Sequence, residues 1–225
     1  VVTRSVYTTL LVRSLVAILC GAALVTLCYF FVDRPVAFWV SEHHTNEIRL
    51  FYWLQYPPPL LQGWAPAILA ALAIRRSCGP FRRWQLALLA ACVSLLIAVQ
   101  CEASLKFCFG RYWPETWTHD NPSLLGNGAY GFHPFHRGPE YGSFPSGHMI
   151  RTLAIVGVAW VAYPRGRWAC LLVALAVAIG LIGMNYHFMG DVIGGTFAGA
   201  IVGVYTAHAC GLGSHAALTI VEQPE

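Results

Sequence analysis

Asn185-Tyr-His187-Phe-Met-Gly-Asp191 joins two apolar runs, residues 168–186 and 191–212. A bilayer core takes about 20 mostly apolar residues per helix. The segment therefore reads as the tip of a hairpin of two membrane-crossing helices, with an imidazole and a carboxylate at the tip. Ionisable groups at such positions are costly and usually functional. Working outward, four more apolar runs are found at 13–32, 58–74, 84–105 and 148–164, the second of them short and containing Pro66. The chain is 57% hydrophobic and only 11% charged, against about 25% charged for a soluble domain. The expected fold is all-α: a single integral membrane domain over 1–225, built from six transmembrane helices. The first run lacks a small-residue cleavage site and continues into Cys28-Tyr-Phe-Phe31, so it reads as an anchor and not as a signal peptide.

The loops alternate in charge. One side carries Arg4, Arg13, Arg75, Arg76, Arg82, Arg83, Arg165 and Arg167, with acids only at Glu222 and Glu225. The other carries Asp33, Glu42, Glu47, Glu115, Asp120, Glu140 and Asp191. The positive-inside rule makes the arginine side cytoplasmic and the 185–191 junction exterior, or periplasmic in a Gram-negative cell. The expected location is an inner or plasma membrane. The net charge of +4 comes from loop arginines, so it reports topology and not nucleic-acid binding. Residues 33–57 mix aromatic and charged side chains and predict an outer interfacial helix. Neighbouring His43 and His44 point about 100° apart on a helix, which favours ordinary solvated histidines over a metal site. Most of the eight cysteines read as small buried hydrophobes, and Cys101 and Cys108 are about 10 Å apart if helical, too far for a disulfide. Gly195, Gly199 and Gly203 form a small-residue ridge suited to close helix packing.

Three stretches would meet at the exterior end. His187 and Asp191 have i,i+4 spacing. A carboxylate on one ring nitrogen leaves the other as a basic lone pair able to attack phosphorus; a helix-capping pair fits the same spacing. Phe144-Pro-Ser146-Gly147-His148 opens the fourth span. The free N–H groups of a helix start favour anions. Ser146 adds a hydroxyl, Gly147 shapes the turn, and His148 can protonate a departing alkoxide. Lys106 and Arg111 follow the third span and could clamp phosphate oxygens. Snorkelling of both cations, or a Glu102–Lys106 ion pair, fits equally well. The outer loop 112–147 collects aromatic residues that suit either a lipid headgroup or an interfacial belt. Its His119, His133 and His136 sit with Pro134 between the last two and Arg137 beside them, which disfavours a metal centre.

These motifs resemble those of the type-2 phosphatidic acid phosphatase family. Its membrane members are six-span lipid phosphatases sharing a fold with vanadium haloperoxidases and soluble bacterial acid phosphatases. The family signature is Lys-x6-Arg-Pro, Pro-Ser-Gly-His and Ser-Arg-x5-His-x3-Asp. The second motif is complete at Pro145–His148, the third holds at His187 and Asp191, and the first at Lys106 and Pro114. Two arginines are missing: Trp113 precedes Pro114, and Gly180-Leu181 stands where Ser-Arg is expected. Arg111 and Arg151 are the expected substitutes, with Arg137 a third candidate.

The resemblance implies a phosphatase acting on a lipid phosphate or diphosphate through phosphohistidine, without cofactor or metal. His187, His148 and Asp191 would be catalytic, and Lys106, Arg111, Ser146, Gly147 and Arg151 would bind phosphate. A phosphotransferase would use the same site. A rhomboid-type protease would use Ser146 with His187 but leaves Lys106, Arg111 and Asp191 without a role. A transporter is disfavoured by the scarcity of charges deep in the spans.

Overall fold

The computed structural model describes residues 2–117 and 120–213. Among these the chain forms α1 (Val2–Phe31), α2 (Asp33–Glu42), α3 (Arg49–Gln55), α4 (Pro57–Arg76), α5 (Arg83–Phe109), a single-turn α6 (Leu124–Asn127), α7 (Gly147–Ala162), α8 (Arg167–Gly183) and α9 (Met189–Ala209). No β-strand occurs among the described residues. Each of the six expected apolar runs is a helix. Five segments have the length and apolarity to cross a membrane, and α7 is a shorter apolar helix of 16 residues. At 1.5 Å per residue α7 is about 24 Å long, short of the ~30 Å hydrocarbon core. The 110–146 loop leads into its N-terminal end, where Ser146 and Gly147 are buried.

The bundle is organised around α7 and α9. A Cβ at Gly195, Gly199 or Gly203 would overlap the carbonyl oxygens of Ser146, Ile150 and Ala154. Backbone contact this close is what a small-residue ridge provides, and it fixes the start of α7 against the start of α9. Ala98, Ile150 and Ala154 carry the contact on to α5. Met149, Leu153, Val177, Leu181 and Val192 pack α8 into the same core.

The 33–57 segment differs from the single interfacial helix expected of it. His44 takes a left-handed φ of 51°, and the chain breaks there into α2 and α3. His43 stacks on Trp39 with ring centroids 4.4 Å apart, and His44 lies 3.5 Å from Glu47. α3 packs onto α8: a Cβ on Gly180 would come within 2.8 Å of the Phe51 carbonyl, and one on Gly183 would meet the Phe51 ring. The cysteines of the chain are all unpaired.

Candidate active site

α5 ends, α7 begins, α8 ends and α9 begins at one end of the bundle. That up-and-down order brings residues 102–113, 143–151 and 185–191 together. The arginine clusters at 75–83 and 165–167 lie at the other ends of these helices.

His187 sits in the turn between α8 and α9, only 4% exposed. Asn185 helps hold that turn with a φ of 54°, and its side-chain amide donates to the Ala37 carbonyl at 3.1 Å. The His187 Nδ1 lies 3.6 Å from Asp191 Oδ2. This is slightly beyond a hydrogen bond, as catalytic pairs often are before substrate arrives. Burial pushes the imidazole pKa below its ordinary value, against the opposing pull of Asp191, so the ring is neutral near pH 7. Its ring faces Trp113 at 5.2 Å and His148 at 6.4 Å.

Asp191 is fully buried and held from several directions. Its Oδ2 accepts from Ser143 Oγ at 2.6 Å and from the Phe188 N–H at 3.0 Å. Its Oδ1 accepts from Arg111 Nη1 at 2.5 Å. Arg111 also donates to Asp33 Oδ2 at 2.7 Å and to the Tyr130 hydroxyl at 3.1 Å. Asp33 in turn accepts from the Gly190 N–H at 2.8 Å.

Arg111 thus departs from its expected place on the phosphate. It is 0% exposed, and rings of Tyr29, Tyr130, Phe132 and Phe188 surround its guanidinium at 4.3–5.4 Å. Burial alone would lower its pKa, but Asp191 and Asp33 outweigh that and raise it, so the guanidinium stays charged. Its geometry is that of a clamp behind the histidine–aspartate pair.

On the other side of His187 lies a pair of cations bridged by one acid. Glu102 Oε1 is 2.8 Å from Lys106 Nζ, and Glu102 Oε2 is 2.5 Å from Arg151 Nη2. Lys106 falls within the last turn of α5, which runs about one turn beyond its expected end. Its ammonium lies 5.9 Å from the centre of the Trp113 ring. His148 is within electrostatic reach of His187, Arg151 and Lys106. Gly147 has a steric role: a Cβ there would collide with the Glu102 carboxylate. The missing side chain lets an anionic group lie against the first turn of α7, where N–H groups lack intrahelical partners. Ser146 caps that helix, its Oγ accepting from the Met149 N–H at 3.5 Å, which leaves the hydroxyl proton free to donate.

The two missing family arginines have physical replacements at their positions. Trp113 packs beside His187, and its indole N–H donates to the Pro139 carbonyl at 2.7 Å. Leu181 is 0% exposed within the α7–α8 core, and α3 lies against Gly180, so a guanidinium has no room there. Arg151, one turn along α7 from His148, presents the cation on that side instead. Arg137 is exposed, its guanidinium 5.0 Å from the centre of the Phe107 ring.

Three contributors were missed by the sequence reading: Asp33, Ser143 and Tyr130. Asp33 had a signal, as an acid following an apolar run. Tyr130 had one as a loop aromatic, and Ser143 had none. Among the described residues no group of three or more His, Cys, Asp or Glu side chains is placed to hold a metal. His136 Nδ1 lies 3.0 Å from the Pro134 carbonyl oxygen, and His119 lies outside the described residues.

One curated relative, a lipid A 1-phosphatase of Rhizobium johnstonii, is 32% identical over 103 residues, covering 46% of this chain and 39% of the relative. The chain thus matches about two-fifths of that relative's length. No solved structure matches. The family model for the PAP2 superfamily matches residues 87–211, a span that is more than half of the chain and holds His148, His187 and Asp191, so the chain belongs to the PAP2 superfamily.

Proposed function

We propose that the protein is a membrane lipid phosphatase that works through a phosphohistidine at His187. The observation that carries this reading is the convergence on one buried, neutral imidazole. Asp191 faces its Nδ1, His148 stands across from it, and Lys106 acts on it electrostatically. With Nδ1 turned to Asp191, Nε2 is the free lone pair. It forms a bond to phosphorus as the bond from phosphorus to the lipid oxygen breaks. His148 gives its proton to the departing alkoxide, then takes one from the water that hydrolyses the phosphohistidine and releases phosphate.

The incoming phosphoryl oxygens take over the position of Glu102 between Lys106, Arg151 and the first turn of α7. Ser146 and the α7 amides then stabilise charge on the transferring group. The site opens at the exterior end if the arginine-rich end is cytoplasmic. The name of the Rhizobium relative makes glycolipid phosphates the first substrates to try, with phosphatidate, phosphatidylglycerophosphate and isoprenyl diphosphate beside them. Phosphate release from this panel in detergent tests the reading, and silence across the panel in a folded preparation would end it. Adding a lipid or glycan acceptor separates hydrolysis from phosphoryl transfer in the same assay.

Two variants test the division of labour. Ser146→Ala is expected to lower kcat by about 10²–10³ at most, the cost of one oxyanion donor. As the nucleophile of a protease, Ser146 would leave almost no activity when removed. Among the described residues it makes no hydrogen bond to His187 or His148, which disfavours that role. Arg151→Ala is expected to lower kcat/KM about tenfold or more, since a charge-assisted bond is worth roughly 1.5–3 kcal/mol. A folded Arg151→Ala enzyme with full activity would make Arg151 only a partner of Glu102.

A further inference from the structure

At the arginine-rich end, opposite His187, α1, α7, α9 and the 163–167 turn enclose a cavity of about 890 Å³. That lies within the ~300–1,000 Å³ usual for small-ligand sites. Its walls are apolar, with Leu10 and Ala17 from α1 and Phe197, Ile201 and Val204 from α9. Arg13, Arg83, Arg165 and Arg167 also line it, and among the described residues no Asp or Glu does. We propose that this cavity binds one anionic phospholipid, its phosphate among these arginines and an acyl chain along the α1–α9 wall.

The arginines are supplied by separate elements, and two of them, Arg83 and Arg167, are held by groups other than acids. Arg83 donates from Nη2 to the Ala162 carbonyl at 2.9 Å, while its Nη1 is buried without a hydrogen-bond partner. Arg167 donates from Nε to the Trp160 carbonyl at 3.4 Å, and its guanidinium stands 5.1 Å over the Trp160 ring. None of the four is in an ion pair among the described residues. Several guanidinium groups with unanswered charge and an unused buried donor fit a phosphate oxygen, which arginine binds at two points. The positive-inside rule would place arginines at this end in any case. It does not require them to converge on a cavity, and Arg75 and Arg76, at the same end, do not line it. A basic pocket between transmembrane helices suits an anionic headgroup. The apolar wall distinguishes a lipid from free phosphate, because an inorganic ion leaves it uncovered.

The test uses phosphatidylglycerol, a phosphodiester with no phosphomonoester for the catalytic site to remove. The whole chain in detergent is mixed with phosphatidylglycerol or with zwitterionic phosphatidylcholine. Retained lipid is counted by native mass spectrometry, and Tm is recorded. One phosphatidylglycerol per chain and a raised Tm are expected, with no retained phosphatidylcholine. Arg83→Ala/Arg167→Ala is expected to bind at least tenfold more weakly, and Arg75→Ala/Arg76→Ala to bind normally. Arg165 is exposed, so Arg165→Glu weakens binding without disturbing the core, and it serves if the double variant fails to fold. Equal retention of both lipids, or unchanged retention in Arg165→Glu, overturns the proposal. A Tm rise with inorganic phosphate equal to that with phosphatidylglycerol also overturns it, in favour of a bare anion site.

Discussion

His187→Ala is expected to lower turnover by about 10⁴-fold or more and to abolish the acid-labile phosphate that the wild-type chain should accumulate when quenched during turnover. The size follows from the role, because loss of a nucleophile or its orienting partner typically costs this much. No neighbour is in place to replace it: His148 is 6.4 Å away, ring to ring. A folded His187→Ala protein with wild-type kcat would sink the histidine mechanism. The same imidazole sets a pH dependence. Burial lowers its pKa in the free enzyme, and the proposed mechanism needs the neutral form. Protonation of His187 therefore adds no acid limb at or above the ordinary imidazole value near 6.5; its limb in kcat/KM lies below that value. A limb at or above 6.5 belonging to His187, assigned by NMR titration of its ring, would contradict the burial seen here.

The fold was legible because membrane solvent simplifies the code. Long apolar runs must be helices, since no water satisfies an open backbone. The glycine ridge at 195, 199 and 203 announced close packing, and its carbonyl partners lie on α7. The 33–57 segment is less legible. Its aromatic and charged mixture suited an interfacial helix, but the contact between α3 and the glycines of α8 is tertiary and has no local signal. The Ser146 cap starts α7 at Gly147, one residue before the apolar run, and the helix ends at Ala162, two residues short of the run's end.

The site divides in the same way. His148, Ser146, Gly147, His187 and Asp191 are a local pattern, and the fold gathers them as the spacing implied. Arginine is harder to read. Its charge is equally useful on a substrate and inside a buried network, and only the neighbours decide. Arg151 lies beside Glu102 and Lys106 at the edge of the site, whereas Arg111 lies behind it. Leu181 shows the reverse case: a family arginine position absorbed into the core once α3 took its space.

Arg111→Ala is therefore expected to act first on folding, losing about 3–5 kcal/mol of stability, the range for breaking one side of a buried ion pair. Asp33 and Asp191 would be left as uncompensated carboxylates, each at most 1% exposed, and several aromatic contacts would go with the guanidinium. Asp33→Asn in the same background removes one stranded charge and should recover part of the loss, an interaction a double-mutant cycle measures. Arg111→Lys keeps the charge but not the two-point geometry that spans Asp33 and Asp191. It should fold, keep KM close to wild type and lose kcat, because Asp191 no longer holds His187 in place. A phosphate clamp predicts the opposite split, with normal stability and a KM raised tenfold or more. Thermal unfolding in detergent, paired with separate kcat and KM values, distinguishes the two. An Arg111→Ala protein with unchanged Tm and only a raised KM would return Arg111 to the substrate.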